Sequence, residues 1–563
     1  MKKILIGLSF ALFGLQSCDV LDVDPQSFYS ENVAYASIEN VDFYVKDLYQ
    51  AFHEYSDIEK PVYDDGFSDL LKYSWAAIAP GNQVNKFFYY RQGINADRDF
   101  RTKWNQAYWH IRELNEFLVD MHNGLASGLD QNKLAIRVAE VRAIRAFVYQ
   151  ELVKRYGGIV LRISEEKVDD HTDRSKARSS EAECWDFIIN ELDKAAKVLP
   201  EQWKDKDGIN HVGRITKGAA YGLKARAALY AKRWQDAVDA CDEVFKLEKK
   251  GVHALLGKNQ YNDIFTVPNN KELLLTVNYE KMKLQHSFNL NCCPPYDYKE
   301  AGALKDFCGA AMTPTEEYAS QFDIKVNGNW QSFTWDNLSQ YANGPWTDRD
   351  PRFYASILYN GASWIKDRKL QVYVGGHDGI FEFKNDPADD YKRSTTTGYY
   401  IRKFIKNDAE INFVDVQSDQ FWIEMRMAEV YLIRSEAYAR LEKWSEAYID
   451  LNAIRGRVGM PALPQQNVWD SYLTDLEKER ICELGMEGHR FFDLVRWGKA
   501  VETLNEKRLH GVKITKLPTG AFEYKVVECD TEDRLFPKQY TISPIPTAEL
   551  VANTLCEQSD LWK

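Results

Sequence analysis

"YGLKARAALYAKRWQDAVDACDEV", Tyr221–Val244, and "YLIRSEAYARLEKWSEAYIDLNAI", Tyr431–Ile454, carry one pattern twice, and that pattern decides the fold. At a constant offset of 210 positions Tyr221 falls on Tyr431, Ala225 on Ser435, Ala228 on Tyr438 and Trp234 on Trp444. The match continues with Ala237 on Ala447, Cys241 on Leu451 and Val244 on Ile454. Large, small, then small-or-aromatic residues on a first helix, with alanine early on a second, form the tetratricopeptide pattern. Small residues let the two helices of a hairpin approach closely, and bulky ones pack on the next hairpin. Two matches at one offset, both with Trp opening the second helix, predict a helical-repeat core.

Helical periodicity extends outward from the first repeat. "NKLAIRVAEVRAIRAFVYQELVKRYGG" sets Leu134, Val138, Val141, Ile144, Val148 and Leu152 at steps of three and four, one apolar face of a long helix. Gly157-Gly158 supplies its C-terminal stop, where positive φ costs little. "EAECWDFIINELDKAAKVLP" repeats the pattern and ends at Pro200. From about Gly257 to Asp419 the period dissolves into Gly, Asn, Asp, Pro and aromatic residues with short β-type runs, as in "NGNWQSFTWDNLSQYANGPWTDRDPRFY". Loops this long usually carry function. The expected class is mainly α: tetratricopeptide-like hairpins around a large irregular, partly β, loop-rich insertion. The expected division is a signal at 1–17, a tether at 18–30, helical parts at 31–256 and 421–563, and an irregular ligand-binding insertion at 257–420.

The front end reads as an export signal. Lys2 and Lys3 precede a mainly apolar run from Ile4 to Leu15, too short for a transmembrane helix of about 20 residues. Leu15-Gln16-Ser17-Cys18 resembles the bacterial lipoprotein box, in which the cysteine is acylated and becomes the first mature residue. Each buried acyl CH₂ contributes about 0.8 kcal/mol, so two or more chains anchor stably where one holds only marginally. Cys18 is therefore the expected lipid anchor. Cleavage removes two lysines and no acid, moving the formal charge from −12 to −14. So acidic a chain is a poor ligand for nucleic acid, which demands clustered Lys and Arg. Of the other cysteines, Cys184, Cys241 and Cys482 sit in helical patterns as small hydrophobes, and Cys529 with Cys556 is a candidate disulfide.

Catalytic motifs are missing from the sequence: there is no HExxH, GxSxG, Walker loop or GxGxxG. "DDGFSD", Asp64–Asp69, offers carboxylates for a metal loop but lacks the ligand order of an EF-hand. No cofactor is expected and no metal ligand set is indicated, which leaves a loop-bracing calcium ion unassigned. Aromatic residues are more telling. Trp330, Trp335, Trp346 and Trp364 crowd one turn-rich segment, and Tyr63, Tyr73, Trp75 and Phe87–Tyr90 surround the turn Pro80-Gly81-Asn82. Indole and phenol faces suit the C–H faces of a pyranose, with Asn82, Arg91, Asp348 and Arg349 available for its hydroxyls. The competing reading makes these rings core anchors of an irregular segment.

Several stretches together resemble the SusD/RagB family of outer-membrane lipoproteins of Bacteroidetes. They are the lipoprotein box, "RAFVYQELVKRYGGIVL", the paired repeats, "MAEVYLIRSEAYARL", "ERICELGMEGHRFFDLVRWG" and "SPIPTAEL". The tail, Glu557–Lys563, departs from the Asn-Pro-Gly-Tyr ending common in that family. The resemblance implies a non-catalytic, cell-surface glycan-binding lipoprotein that caps a SusC-like TonB-dependent transporter, with the helical side toward the barrel. It points to Trp75, Asn82, Tyr296, Trp330 and Trp346 as the glycan platform. It also makes His489, Arg490, Asp493 and Arg496 a structural network in place of the catalytic group they suggest at first sight. Other functions remain open to test: RagB-like capture of peptides or glycoproteins, hydrolysis by two carboxylates facing each other about 5–10 Å apart, and a lid with no ligand of its own.

Overall fold

A computed structural model describes residues 31–59, 64–73, 94–99, 101–164, 175–204, 210–211, 213–294, 309–379, 394–406, 418–530 and 532–563. Its principal helices are α1 (Ile38–Leu48), α2 (Trp104–His122), α3 (Gln131–Tyr156), α4 (Glu181–Val198), α5 (Lys217–Tyr230) and α6 (Trp234–Lys249). After the insertion come α7 (Met427–Arg440), α8 (Trp444–Arg457), α9 (Trp469–Leu484) and α10 (Arg490–Arg496). From α2 to α8 each helix packs against its successor, and α9 closes on α7 and α8. The stack thus runs from α6 straight to α7 in space, although nearly two hundred residues separate them in the chain.

Both repeats fold as hairpins with the same turn. Lys232 and Glu442, equivalent at the 210-residue offset, share a φ of 59°. Beyond them Arg233 N donates to Ala228 O and Lys443 N to Tyr438 O, each at 2.8 Å. A non-glycine residue in this left-handed region costs about 1–2 kcal/mol, which the helix-closing hydrogen bond offsets. Small residues meet at the crossing as expected, Ala225 and Ser435 being fully buried. Ser435 adds a hydroxyl that donates to Ala447 O at 2.6 Å and meets the Tyr472 hydroxyl at 2.5 Å, tying α7 to α8 and α9.

α3 begins at Asp130, whose carboxylate accepts from the Asn132 and Lys133 amides, and ends at Gly157 with φ 68°. α4 opens with a capping box between Ser180 and Glu183. The strands form two-stranded antiparallel ladders: β1 (Leu71–Tyr73) with β5 (Met312–Pro314), β2 (Trp203–Lys204) with β3 (Asn210–His211), and β4 (Leu273–Val277) with β10 (Trp422–Arg426). The others are β6 (Ile324–Val326) with β7 (Asn329–Gln331), β8 (Ile357–Leu358) with β9 (Tyr400–Ile401), and β11 (His510–Lys516) with β12 (Phe522–Glu528). β4 and β10 lie at the two ends of the irregular segment, so their pairing draws its entry and exit together against α5. At that contact a Cβ on Gly222 would come within 3.0 Å of Met425 and 3.3 Å of Leu274.

Cys184, Cys241 and Cys482 are buried thiols. The disulfide expected of Cys529 and Cys556 is corrected: both are free, and Cys529 Sγ donates to Leu509 O at 3.2 Å. Among the described residues no helix is long and apolar enough to cross a membrane.

Buried ion pairs give the fold an acid limit. Burial opposes ionisation of Glu151, Glu429 and Asp493, yet their cationic neighbours hold each at about 2. Those neighbours are Lys154 and Arg155, Arg226, and Arg480 and Arg496 respectively. The folded pKa lies below the unfolded one, so the stabilisation is present above about pH 4.5 and is lost as pH falls toward 2. Asp65, Glu316 and Glu424, raised to about 7 by burial, act in the opposite sense: their contribution grows as pH falls from 7 into the range where an unfolded carboxyl titrates, and it adds little once both states are protonated. Urea midpoints are expected to decline continuously from about pH 4.5 to 2; a flat profile would contradict this account.

Candidate functional site

The "GHRFFDLVRWG" segment holds groups that resemble catalytic machinery, and each is committed to a protein partner. Arg490 forks onto Asp69 at 2.8 Å twice and reaches Glu477 at 2.8 Å. Arg480 pairs with Asp493 at 2.7 Å, and Arg496 with Glu436 at 2.5 Å. Burial lowers His489 to about 4, with Glu429 3.7 Å away. The cavity lined by Glu477, Arg480, His489, Arg490 and Asp493 is only about 10 Å³, room for no more than a single water. They stitch α9 and α10 to α7 and to the Asp64–Phe67 turn. The acids of "DDGFSD" are held the same way: Asp64 by Arg155 at 2.6 Å, Asp65 by the amides of Gly488 and Arg490, and Asp69 by Arg490. Among the described residues no three His, Cys, Asp or Glu side chains gather as a metal site.

A different arrangement emerges from the irregular segment. Trp346, 9% exposed, stacks on Tyr359 at 5.5 Å and lies parallel to Phe353 at 6.4 Å. The rings of Trp335, Tyr399 and Tyr524 meet it edge-on at 5.6–5.9 Å. Its expected place on an open platform is therefore corrected: Trp346 is the hub under the surface, because five protein rings surround its indole. Trp364, 3% exposed, is also a core residue. Arg349 is buried, donating to the carbonyls of Ala319, Phe322 and Pro345 and lying 3.8 Å from the Phe333 ring, so it does not reach for a ligand.

Around that hub lies a ridge of half-buried rings. Tyr373 meets Phe522 at 5.5 Å, Phe522 meets Tyr524 at 6.5 Å, and Tyr524 stacks on Trp335 at 5.2 Å. Tyr359, stacked on Trp346, meets Tyr354 at 6.0 Å. Trp335 is oriented by its indole N–H, which donates to Glu316 at 2.8 Å, and Tyr399 donates to the same carboxyl at 2.5 Å. Burial raises Glu316 to about 7. Glu317 accepts from the backbone and ring of His510, the ring at 2.6 Å. Both oxygens of Glu316 are thus occupied, and it does not pair with Glu317 across a cleft as glycoside hydrolysis requires. Half-buried Arg402 stands near Tyr359; burial lowers its pKa, and no carboxylate pairs with it among the described residues.

The ridge can stack rings against the apolar faces of a ligand while Arg402 donates hydrogen bonds to its oxygens. Of the residues expected from sequence, Trp330 is half-buried on β7 with Lys325 Nζ 5.9 Å above its ring, and it makes no ring contact with the ridge among the described residues. Asp348 is exposed and accepts from Asn343 at 3.2 Å. Tyr73, from the first aromatic group, is a buried residue of β1. Trp75, Asn82, Tyr296 and the anchor Cys18 lie outside the described residues. Sequence reasoning missed Phe522 and Tyr524, brought in by the β11–β12 hairpin from the far end of the chain. The two-residue alternation in "FEYKVV" was the available signal.

Comparison with known proteins fits this architecture. The SusD family profile matches residues 271–562, more than half of the chain. This chain belongs to the SusD family. A second profile, described as starch-binding and associating with the outer membrane, matches residues 20–229. The SusD-like protein P25 of Formosa agariphila is 24% identical over 588 residues, covering 98% of this chain and 97% of the relative. A solved SusD-like protein of Bacteroides fragilis superposes with a TM-score of 0.75 at 27% identity, covering 94% of this SusD-family chain and 98% of its own. A second from the same species, described as a SusD-like carbohydrate binding protein, gives 0.72 at 21% identity, covering 92% and 99%.

Proposed function

We propose that this protein captures oligo- or polysaccharide on the ring-lined ridge and passes it, chemically unchanged, to a SusC-like TonB-dependent transporter. It is anchored in the outer membrane by lipid on Cys18 and faces the exterior. The observation that carries the reading is two groups of half-buried rings, Tyr373–Phe522–Tyr524–Trp335 and Tyr359–Tyr354, both packed on the buried Trp346, with Arg402 beside the second. The family's description as starch-binding and associating with the outer membrane supports the ligand class and the location. Commitment of Glu316 and Glu317 to protein partners supports binding over hydrolysis.

The test is affinity electrophoresis and calorimetry of the soluble form lacking the lipid anchor against a panel of neutral polysaccharides. One glycan is expected to bind, and Tyr359→Ala to weaken it by about 2 kcal/mol, roughly 30-fold, as loss of a central aromatic contact does. Tyr359→Phe should keep most of the affinity. Absence of any binding, or equal affinity in Tyr359→Ala, removes the ridge as the capture site. Co-purification of the lipidated protein with a transporter barrel tests the partner separately.

A further inference from the structure

A cavity of about 470 Å³ lies away from the ridge, on different elements: α1, the short helix Gln50–His53, the β2–β3 hairpin and β4. Its wall carries Lys46, Tyr49, Trp203, Lys204, Arg214 and Asn278, and among the described residues none that lines it is acidic. Three cations, Lys46, Lys204 and Arg214, thus face one cavity of a chain of formal charge −12.

The aromatic wall is built to hold its shape. The Trp203 indole N–H donates to Ile215 O at 2.8 Å, and its ring is backed by the Arg214 guanidinium at 4.1 Å and that of Arg137 at 5.1 Å. Arg214 is itself pinned by Glu140 at 2.7 and 2.9 Å and by Asp42 at 2.9 Å. The Tyr49 hydroxyl donates to Glu140 at 2.6 Å. Those two acids lie behind the wall and are already satisfied by Arg137, Arg214, Tyr49 and, for Asp42, Lys46 at 2.9 Å. Gly213 completes the shape: a Cβ there would stand 2.2 Å from the Asn278 amide, so only glycine lets that side chain line the cavity. Lys204 is exposed, with no ion pair among the described residues, and its ammonium is available.

We propose that this cavity is a second binding site, for an anion-bearing sugar unit such as a uronate or sulfate ester. Its volume falls in the range of small-molecule sites of about 300–1,000 Å³. The Trp203 and Tyr49 rings meet the sugar's C–H face, Asn278 and Thr276 meet hydroxyls, and Lys204 meets the anion. A neutral sugar would give the Lys204 ammonium no counter-charge, which is why the site favours an anion. This inference rests on the cavity alone and stands apart from capture on the ridge.

Calorimetric titration of the detergent-solubilised full chain with digalacturonic acid and with galactose 6-sulfate tests it. At least one probe is expected to bind, more weakly as salt is raised. Lys204→Glu should weaken that binding about 10-fold or more, while Lys204→Arg stays within about 3-fold of the wild type because the charge is retained. Affinity for the neutral glycan held by the ridge should be the same in Lys204→Glu, so failure of either site is read independently. Which probe binds names the anion. The proposal is overturned if neither probe binds the wild type, or if Lys204→Glu binds as well as wild type does.

Discussion

Arg426→Ala is expected to destabilise the protein by about 3–5 kcal/mol, the cost of leaving a buried charge without its partner. Arg426 is 1% exposed at the end of β10 and donates to Glu272 at 2.8 Å and to Glu483 and Glu487 at 2.7 Å. Arg457 also pairs with Glu272 and Glu483, Arg352 with Asp350, Glu479 and Glu483, Arg455 with Glu479, and Lys403 with Glu487. Five cations therefore face five carboxylates, and the network is neutral only when complete. Burial opposes ionisation of Glu483, but Arg457, Arg426 and Arg352 keep its carboxyl well below the usual range. Removing Arg426 leaves one net negative charge in the interior, where the Coulomb cost is far larger than at the surface. Arg426→Lys should recover only part of the stability, since one ammonium cannot reproduce the planar fork onto three acids. Urea midpoints measured at neutral pH give the answer; a variant as stable as wild type would show that the network contributes nothing to stability.

Trp346→Ala is expected to cost about 3–5 kcal/mol, as removal of a large buried aromatic does. Stacking and edge contacts to Tyr359, Trp335 and Tyr524 are lost together, so the ridge above should loosen and glycan affinity should fall with the melting temperature. Trp346→Phe should retain most of both. The discriminating outcome is a Trp346→Ala protein that melts like wild type yet no longer binds glycan: Trp346 would then be a contact residue, and its place beneath the ridge would be wrong.

Much of the helical core was legible in the chain. The small residues at 225 and 435 and the paired tryptophans at 234 and 444 specify hairpins locally, because side chains three and four apart share one helix face. The turns at Lys232 and Glu442 follow from that repeat. The irregular segment was legible as a class of structure but not residue by residue. Trp335 and Trp346 lie eleven positions apart in similar surroundings, yet one is half-buried on the ridge and the other is its hub. No period marks which side of an irregular segment faces inward, so burial there depends on partners elsewhere in the chain. Tyr524 arrives from the β11–β12 hairpin and Tyr399 from beside β9.

Local pattern by itself determined that this protein is a run of helical hairpins interrupted by a long, ring-rich, aperiodic insertion, because helix periodicity is written in neighbouring residues. Only the tertiary structure decided that α6 stacks on α7 across the insertion and that β4 and β10 draw its ends together. It alone chose which rings stay at the surface, and it assembled a network of ten buried charges from residues 272 to 487. Those outcomes depend on contacts between residues far apart in the chain, whose energies are set by packing and desolvation that no local stretch encodes.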